Sequence, residues 1–217
     1  MKSQDIFILL KLVSLQQQEK ITWAEQLGIK DHPLGWEGWD IEEENQTFQR
    51  DLKNLIPIAF ATRYTARGLE QETGVSKTEI NISLKRSISV GLAKLDRKNS
   101  LPRTNTKALT EFIIYGLKYV FPAKPAELTR GIPTSFAAPV LQGKIMSAGD
   151  TIYVWPDAKG NSKGQSIQPL FKTVPMAVKN DPYLYEYLAL IDAIRLGNAR
   201  EITVATDELY KKLRISQ

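Results

Sequence analysis

Cysteine is absent from the 217 residues, and histidine occurs once, as His32. The first absence excludes a disulfide framework, thiolate metal sites and a cysteine nucleophile. The second excludes a histidine-based metal cluster within one chain and leaves a Ser-His-Asp mechanism a single candidate base. A long apolar run is also missing. The apolar stretch of "MKSQDIFILLKLVSLQQQEK" is broken by Lys11, is far too short for a bilayer, and shows no basic–apolar–cleavage pattern of a signal peptide. The chain reads as cytoplasmic, with no membrane association.

Carboxylates at catalytic spacing are lacking too. Glu42, Glu43 and Glu44 are consecutive, and Glu186 and Asp192 fall on different faces of one helix. "DAKGNSKGQSI" has glycines and lysines but not the spacing of a phosphate loop, and reads as an exposed turn. These observations point away from an enzyme and imply no metal and no cofactor.

What is present is an ordinary globular composition, 42% hydrophobic and 24% charged, which argues against wholesale disorder and allows one large domain or two small ones. The net charge of +5 is unevenly spread. Residues 77–107 hold Lys77, Lys85, Arg86, Lys94, Arg97, Lys98, Arg103 and Lys107 against only Glu79 and Asp96. Residues 19–52 run the other way, with nine acidic residues against Lys20, Lys30 and Arg50, and carry Trp23, Trp36 and Trp39. A concentrated basic segment is the footprint of a phosphate-facing surface, although a solvated lysine face has the same composition.

Periodicity places this charge. Residues 4–16 predict a well-buried helix through Ile6, Leu9, Leu10 and Val13, and a second helix is predicted from an Asp40 N-cap. In "YTARGLEQETGVSKTEINISLKRSISVGLAKL", Thr65 caps a short helix to about Thr73, Gly74 supplies the left-handed turn, and Ser76 with Glu79 forms a capping box. The helix after Ser76 is expected to turn Ile80, Leu84, Ser87, Ile88 and Gly91 to the core. Thr78, Ile82, Lys85 and Arg86 then lie opposite, with Lys77 and Asn81 near its start and flank. "LAKLDRKNSLPRTNT" predicts a two-stranded hairpin with Arg97 and Lys98 at its tip and Arg103 on the return strand.

Leu69, then Gly74-Val75-Ser76, then Ile80, resembles the helix-turn-helix pattern of bacterial transcription regulators. "SKTEINISLKRSISVGLA" is similar to the recognition helix of winged members, broadly of the MarR type. Glu70 departs from the small residue this pattern prefers, and an insertion of about residues 17–62 precedes the motif. The resemblance covers roughly residues 5–16 and 63–107. It implies a mainly α fold with a small β wing: a winged helix-turn-helix domain over 1–121, then a mixed, mainly helical module over 122–217. It implies a sequence-specific regulator of double-stranded DNA, a repressor by expectation, with helix 77–90 in the major groove. The implied contact residues are Ser76, Lys77, Thr78, Asn81, Ile82, Lys85, Arg86, Arg97, Lys98 and Arg103. A homodimer is expected, through the apolar helices at 107–121 and 182–196, with a protein partner for residues 19–52 or the C-terminal module. The alternative is a protein-interaction module or antitoxin-type subunit whose winged helix docks a protein.

In the second half, "KALTEFIIYGLKYVF" predicts a helix stopped by Pro122, and residues 122–180 read as mostly loop and short strand. "DPYLYEYLALIDAIRLGNAREITVATDELYKKL" predicts two helices split at Gly197, the first capped by Asp181 with Pro182 at its first position.

Overall fold

A helix that is apolar on every side is stable only where every side is covered. Helix α1, Ser3–Lys20, is such a helix: everything from Gln4 to Leu15 is buried. The computed structural model describes residues 1–20, 56–144 and 152–213. The Trp-rich acidic segment, the helix expected from Asp40, and His32 lie outside the described residues.

Around α1 pack α3 (Ala66–Thr73), α4 (Lys77–Ser89), the strand β2 (Pro102–Thr104) and α7 (Pro182–Leu196). Helix α2 (Ile56–Arg63) leads into α3, and β1 (Ala93–Leu95) pairs antiparallel with β2. A rod, α5, follows: α-helical over Thr106–Phe112, π-helical over Ile113–Leu117, and α-helical again over Lys118–Val120. Leu109, Ile113 and Leu117 are its buried seam, while Val120 is 52% exposed.

Residues 122–180 contain more strand than the proline and glycine content predicts. Ten-residue β3 (Pro125–Thr134) pairs antiparallel with both β4 (Tyr153–Pro156) and β5 (Ser162–Ile167). β4 and β5 pair parallel, which closes a three-stranded barrel. The segment "TRGIPTSFAAP" is thus the end of β3 followed by short 3-10 turns, and "SKGQSI" is β5. The tight closure explains the glycines: a Cβ on Gly131 would lie 2.0 Å from the Trp155 carbonyl oxygen.

The barrel docks on α7 through polar groups. Buried Asp192 accepts from Trp155 Nε1 at 2.7 Å, Thr134 Oγ1 at 3.1 Å and Arg195 at 2.6 Å. Burial pushes this carboxyl up, against the pull of those three partners. Asp181 caps α7 as predicted, accepting from Leu184 N at 3.0 Å, with Pro182 in the first turn. From Leu184 to Arg195 every residue of α7 is buried within the protomer. That corrects the expectation of an interface on 182–196: its apolar stripe faces the core of its own chain. Helix α8 (Ala199–Leu213) packs on α7 after Gly197.

Lys11, which breaks the apolar run of α1, is 1% exposed. Its ammonium lies 2.5 Å from Glu72 and 2.6 Å from Asp181. Ser14 Oγ donates to Asp181 at 2.6 Å, and Arg63 pairs with Glu72 at 2.5 Å and 2.9 Å. Two cations and two anions so close the gap between α1, α2, α3 and the start of α7. The buried cluster runs from Ile6 to Leu209 and crosses residue 121. The described chain is mainly helical, with two small sheets.

Candidate nucleic-acid interface

Local capping builds the two helices that bear the basic segment. Thr65 Oγ1 accepts from Gly68 N at 3.1 Å to start α3, and Gly74, at φ 66°, ends it in the left-handed region. The cap N–H of Gly74 reaches Glu70 O. Ser76 Oγ accepts from Glu79 N at 3.4 Å to open α4. The Glu79 carboxylate takes Gln4 Nε2 at 2.5 Å and lies 3.8 Å from Lys2, so it ties α4 to α1. Glu70, the residue that departs from the motif, has a capping role: its carboxylate accepts from Lys77 N at 3.1 Å.

The buried face of α4 is Ile80, Ser83 and Ser87. Ile88, expected inside, is 38% exposed, while Ser83 and Ser87 take buried positions. Lys77, Thr78, Asn81, Ile82 and Lys85 are exposed, as is Ser76. Beyond α4, the β1–β2 hairpin forms with Ala93 opposite Thr104 and Leu95 opposite Pro102. Asp96 Oδ1 accepts from Lys98 N at 2.8 Å and shapes the turn, leaving Arg97 and Lys98 exposed at the tip.

Two of the ten expected contact residues point into the protein. Arg86 makes a two-pronged contact with Asp5 of α1, at 3.0 Å and 2.6 Å. Burial alone would raise the Asp5 carboxyl. Hydrogen bonds from Arg86, the Lys2 backbone and Ser83, with the Arg86 charge, outweigh it and hold the carboxyl below its ordinary value. Arg103 donates to Glu19 at 2.6 Å and to the Tyr64 hydroxyl at 2.9 Å, and its guanidinium sits 4.9 Å from the Tyr64 ring centre. Asp96 is 3.6 Å from the same guanidinium. The placement of Arg86 opposite the core is therefore corrected: it flanks the serine seam and reaches α1.

Lys77, Lys85, Lys94, Arg97, Lys98 and Lys107 form no salt bridge among the described residues. The only acids of residues 77–107, Glu79 and Asp96, each face a partner inside the protomer. The charge left without a partner there is thus cationic, and it stands beside the exposed apolar side chains of Ile82, Ile88, Val90 and Leu95. Sequence reading missed the partners Asp5, Glu19 and Tyr64. A lone aspartate opening an otherwise apolar helix was the available signal for the first.

Among the described residues no cluster of acidic or histidine side chains is arranged to hold a metal ion, and no helix is long and apolar enough to cross a membrane. Comparison with protein-family models, with curated proteins and with solved structures finds no match.

Proposed function

We propose that the chain binds double-stranded DNA as a winged helix-turn-helix transcriptional regulator, a repressor working as a homodimer rather than an enzyme. The observation that carries this reading is the exposed face of α4, with Lys77, Thr78, Asn81, Ile82 and Lys85, followed by a hairpin tip bearing Arg97 and Lys98. Helix α4 enters the major groove, where Asn81 pairs with a base edge and Ile82 meets a thymine methyl. Arg97 and Lys98 contact phosphates and release counterions. Arg86 and Arg103 act one step back: they fix α4 and the hairpin against α1 and Tyr64.

One recognition helix reads too few base pairs to find a site in a genome, so two protomers reading half-sites about one helical turn apart are required. The remaining candidate seam is α5, where Tyr115 and Tyr119 are exposed. Light scattering at micromolar protein is expected to give a dimer; a monomer with and without DNA would exclude it.

The test of DNA binding is anisotropy titration of duplex pools across salt. Wild type should bind with affinity that falls steeply as salt rises, and Lys77→Ala, Lys85→Ala, Arg97→Ala and Lys98→Ala should each weaken it. Unchanged binding in all four variants would sink the reading. A second reading, a module that docks a protein, is favoured by the exposed Ile88, Val90 and Leu95 at the end of α4 and the start of the hairpin. Capture that survives high salt and has no duplex requirement would favour it.

A further inference from the structure

The turn between α3 and α4 is covered by a segment from far along the chain. Thr173 Oγ1 donates to the Thr73 carbonyl oxygen at 2.6 Å. The Met176 methyl and the Thr173 methyl crowd Gly74, so that a Cβ there would lie 2.6 Å and 3.1 Å from them. On the other side of the segment, Phe171 stacks on Phe7 of α1 with ring centres 5.9 Å apart. Between these two anchors stands Lys172. Its side chain is exposed and makes no salt bridge among the described residues.

We infer that Lys172 belongs to the duplex-binding face and contacts the DNA phosphate that flanks the groove at the N-terminal end of α4. This rests on the proposed reading of α4 as the groove helix. The turn at Gly74 is followed by Ser76 and Lys77, the first residues of that helix. When a recognition helix lies in the major groove with its N-terminal residues toward the bases, the ridge beside its start is sugar-phosphate backbone. Lys172 is one residue from Thr173, whose hydroxyl is bonded to the turn that opens this helix, and on this reading its ammonium meets that ridge. Because its chain neighbours are fixed on both sides, less freedom is lost when the ammonium settles on a phosphate. Glu70, an acid of the motif, has its carboxylate on Lys77 N, where it caps the helix. The same anchoring makes the loop after β5 part of the DNA-facing surface, so the second half of the chain contributes to occupancy directly.

Full-length Lys172→Ala, Lys172→Glu and Lys172→Arg are to be titrated with a bound duplex by anisotropy at several salt concentrations. Lys172→Ala should reduce the slope of log affinity against log salt by about 0.9, the value for one lost phosphate contact. Lys172→Glu should weaken binding further, by roughly tenfold or more at low salt, and Lys172→Arg should restore it. Thermal midpoints equal to wild type establish that the variants are folded. An equal charge change at exposed Lys124 serves as the control for long-range field. Lys172→Glu binding like wild type while Lys77→Ala and Arg97→Ala are weakened would overturn the contact and leave the groove reading intact. An equal loss in Lys124→Glu would also overturn it, since the effect would then be general charge. If no variant in either set moves binding, the duplex reading falls and takes this inference with it.

Discussion

Lys11 and Lys85 sit on helices that pack against each other, α1 and α4, and they meet opposite surroundings. Lys11 has lost its water and gained two carboxylates, Glu72 and Asp181. Lys85 keeps its water and has no carboxylate within salt-bridge distance among the described residues. The same division separates Arg86 and Arg103, held by Asp5 and Glu19, from Arg97 and Lys98 at the hairpin tip. A count of positive charges along residues 77–107 merges the two groups. Only the second group is free to meet an outside anion; the first shapes the surface from which it projects.

The sharpest way to separate them is to delete one of each and measure stability. Lys11→Ala leaves the buried Asp181 carboxylate without its ammonium and weakens the hold on Glu72, and should cost about 3–5 kcal/mol in urea denaturation. Lys85→Ala should stay within about 0.5 kcal/mol. Equal losses would erase the distinction.

Acid reaches the buried set gradually. For Glu72, burial raises the carboxyl, but Arg63 and Lys11 outweigh it and leave the folded value below the ordinary one, as at Asp5. A carboxyl lowered by folding contributes stability above its unfolded pKa and loses it as pH falls through the folded value. Melting temperature is therefore expected to fall on acidification below about pH 4, the ordinary carboxyl range. Glu72→Gln should blunt that fall. A curve unaltered by Glu72→Gln would argue against this ion pair as a source of it.

Arg86→Ala leaves the Asp5 carboxylate buried without its guanidinium and should cost about 2–3 kcal/mol. Its slope of log affinity against log salt should match wild type once folding is restored by lower temperature. A slope reduced by one contact would instead place Arg86 on phosphate. Asn81→Ala should cost about 1–3 kcal/mol at one base position, with discrimination relaxed there and no change in stability. Affinity measured across single-base variants of a bound duplex reads this out, and a uniform loss would make Asn81 a backbone contact. Arg97→Ala carries the smallest expected effect: a salt slope reduced by about one and affinity lowered alike for every sequence.

Why some of this was legible follows from distance along the chain. The caps at Thr65, Gly74 and Ser76, and the hairpin after Gly91, depend on residues within a few positions of each other, so residue type alone announces them. Asp181 and Pro182 announce α7 in the same way. The fate of Arg86 depends on a partner 81 residues away, and that of Arg103 on one 84 residues away. No local pattern carries such information. Helical spacing puts Ile88 inside because it assigns faces but not how far a neighbour extends; the buried positions here are Ile80, Ser83 and Ser87. The barrel is not legible because its strands hold Gly131, Pro133 and Gly164, residues that usually interrupt strands; the two glycines here permit a closure too tight for side chains.

The Lys11–Asp181 contact spans 170 residues, and that span has a consequence during synthesis. Helix α1 leaves the ribosome well before α7, apolar on all sides and with a lysine in its middle. Glu72 is made earlier, but the second carboxylate on the lysine, Asp181, and the helix that covers one flank arrive only with α7. At translation rates of ~5–20 residues per second, the wait is roughly 10–30 s. Throughout that interval the N-terminal segment is a sticky nascent chain. Helix α1 is therefore expected to settle only after α7 has left the ribosome.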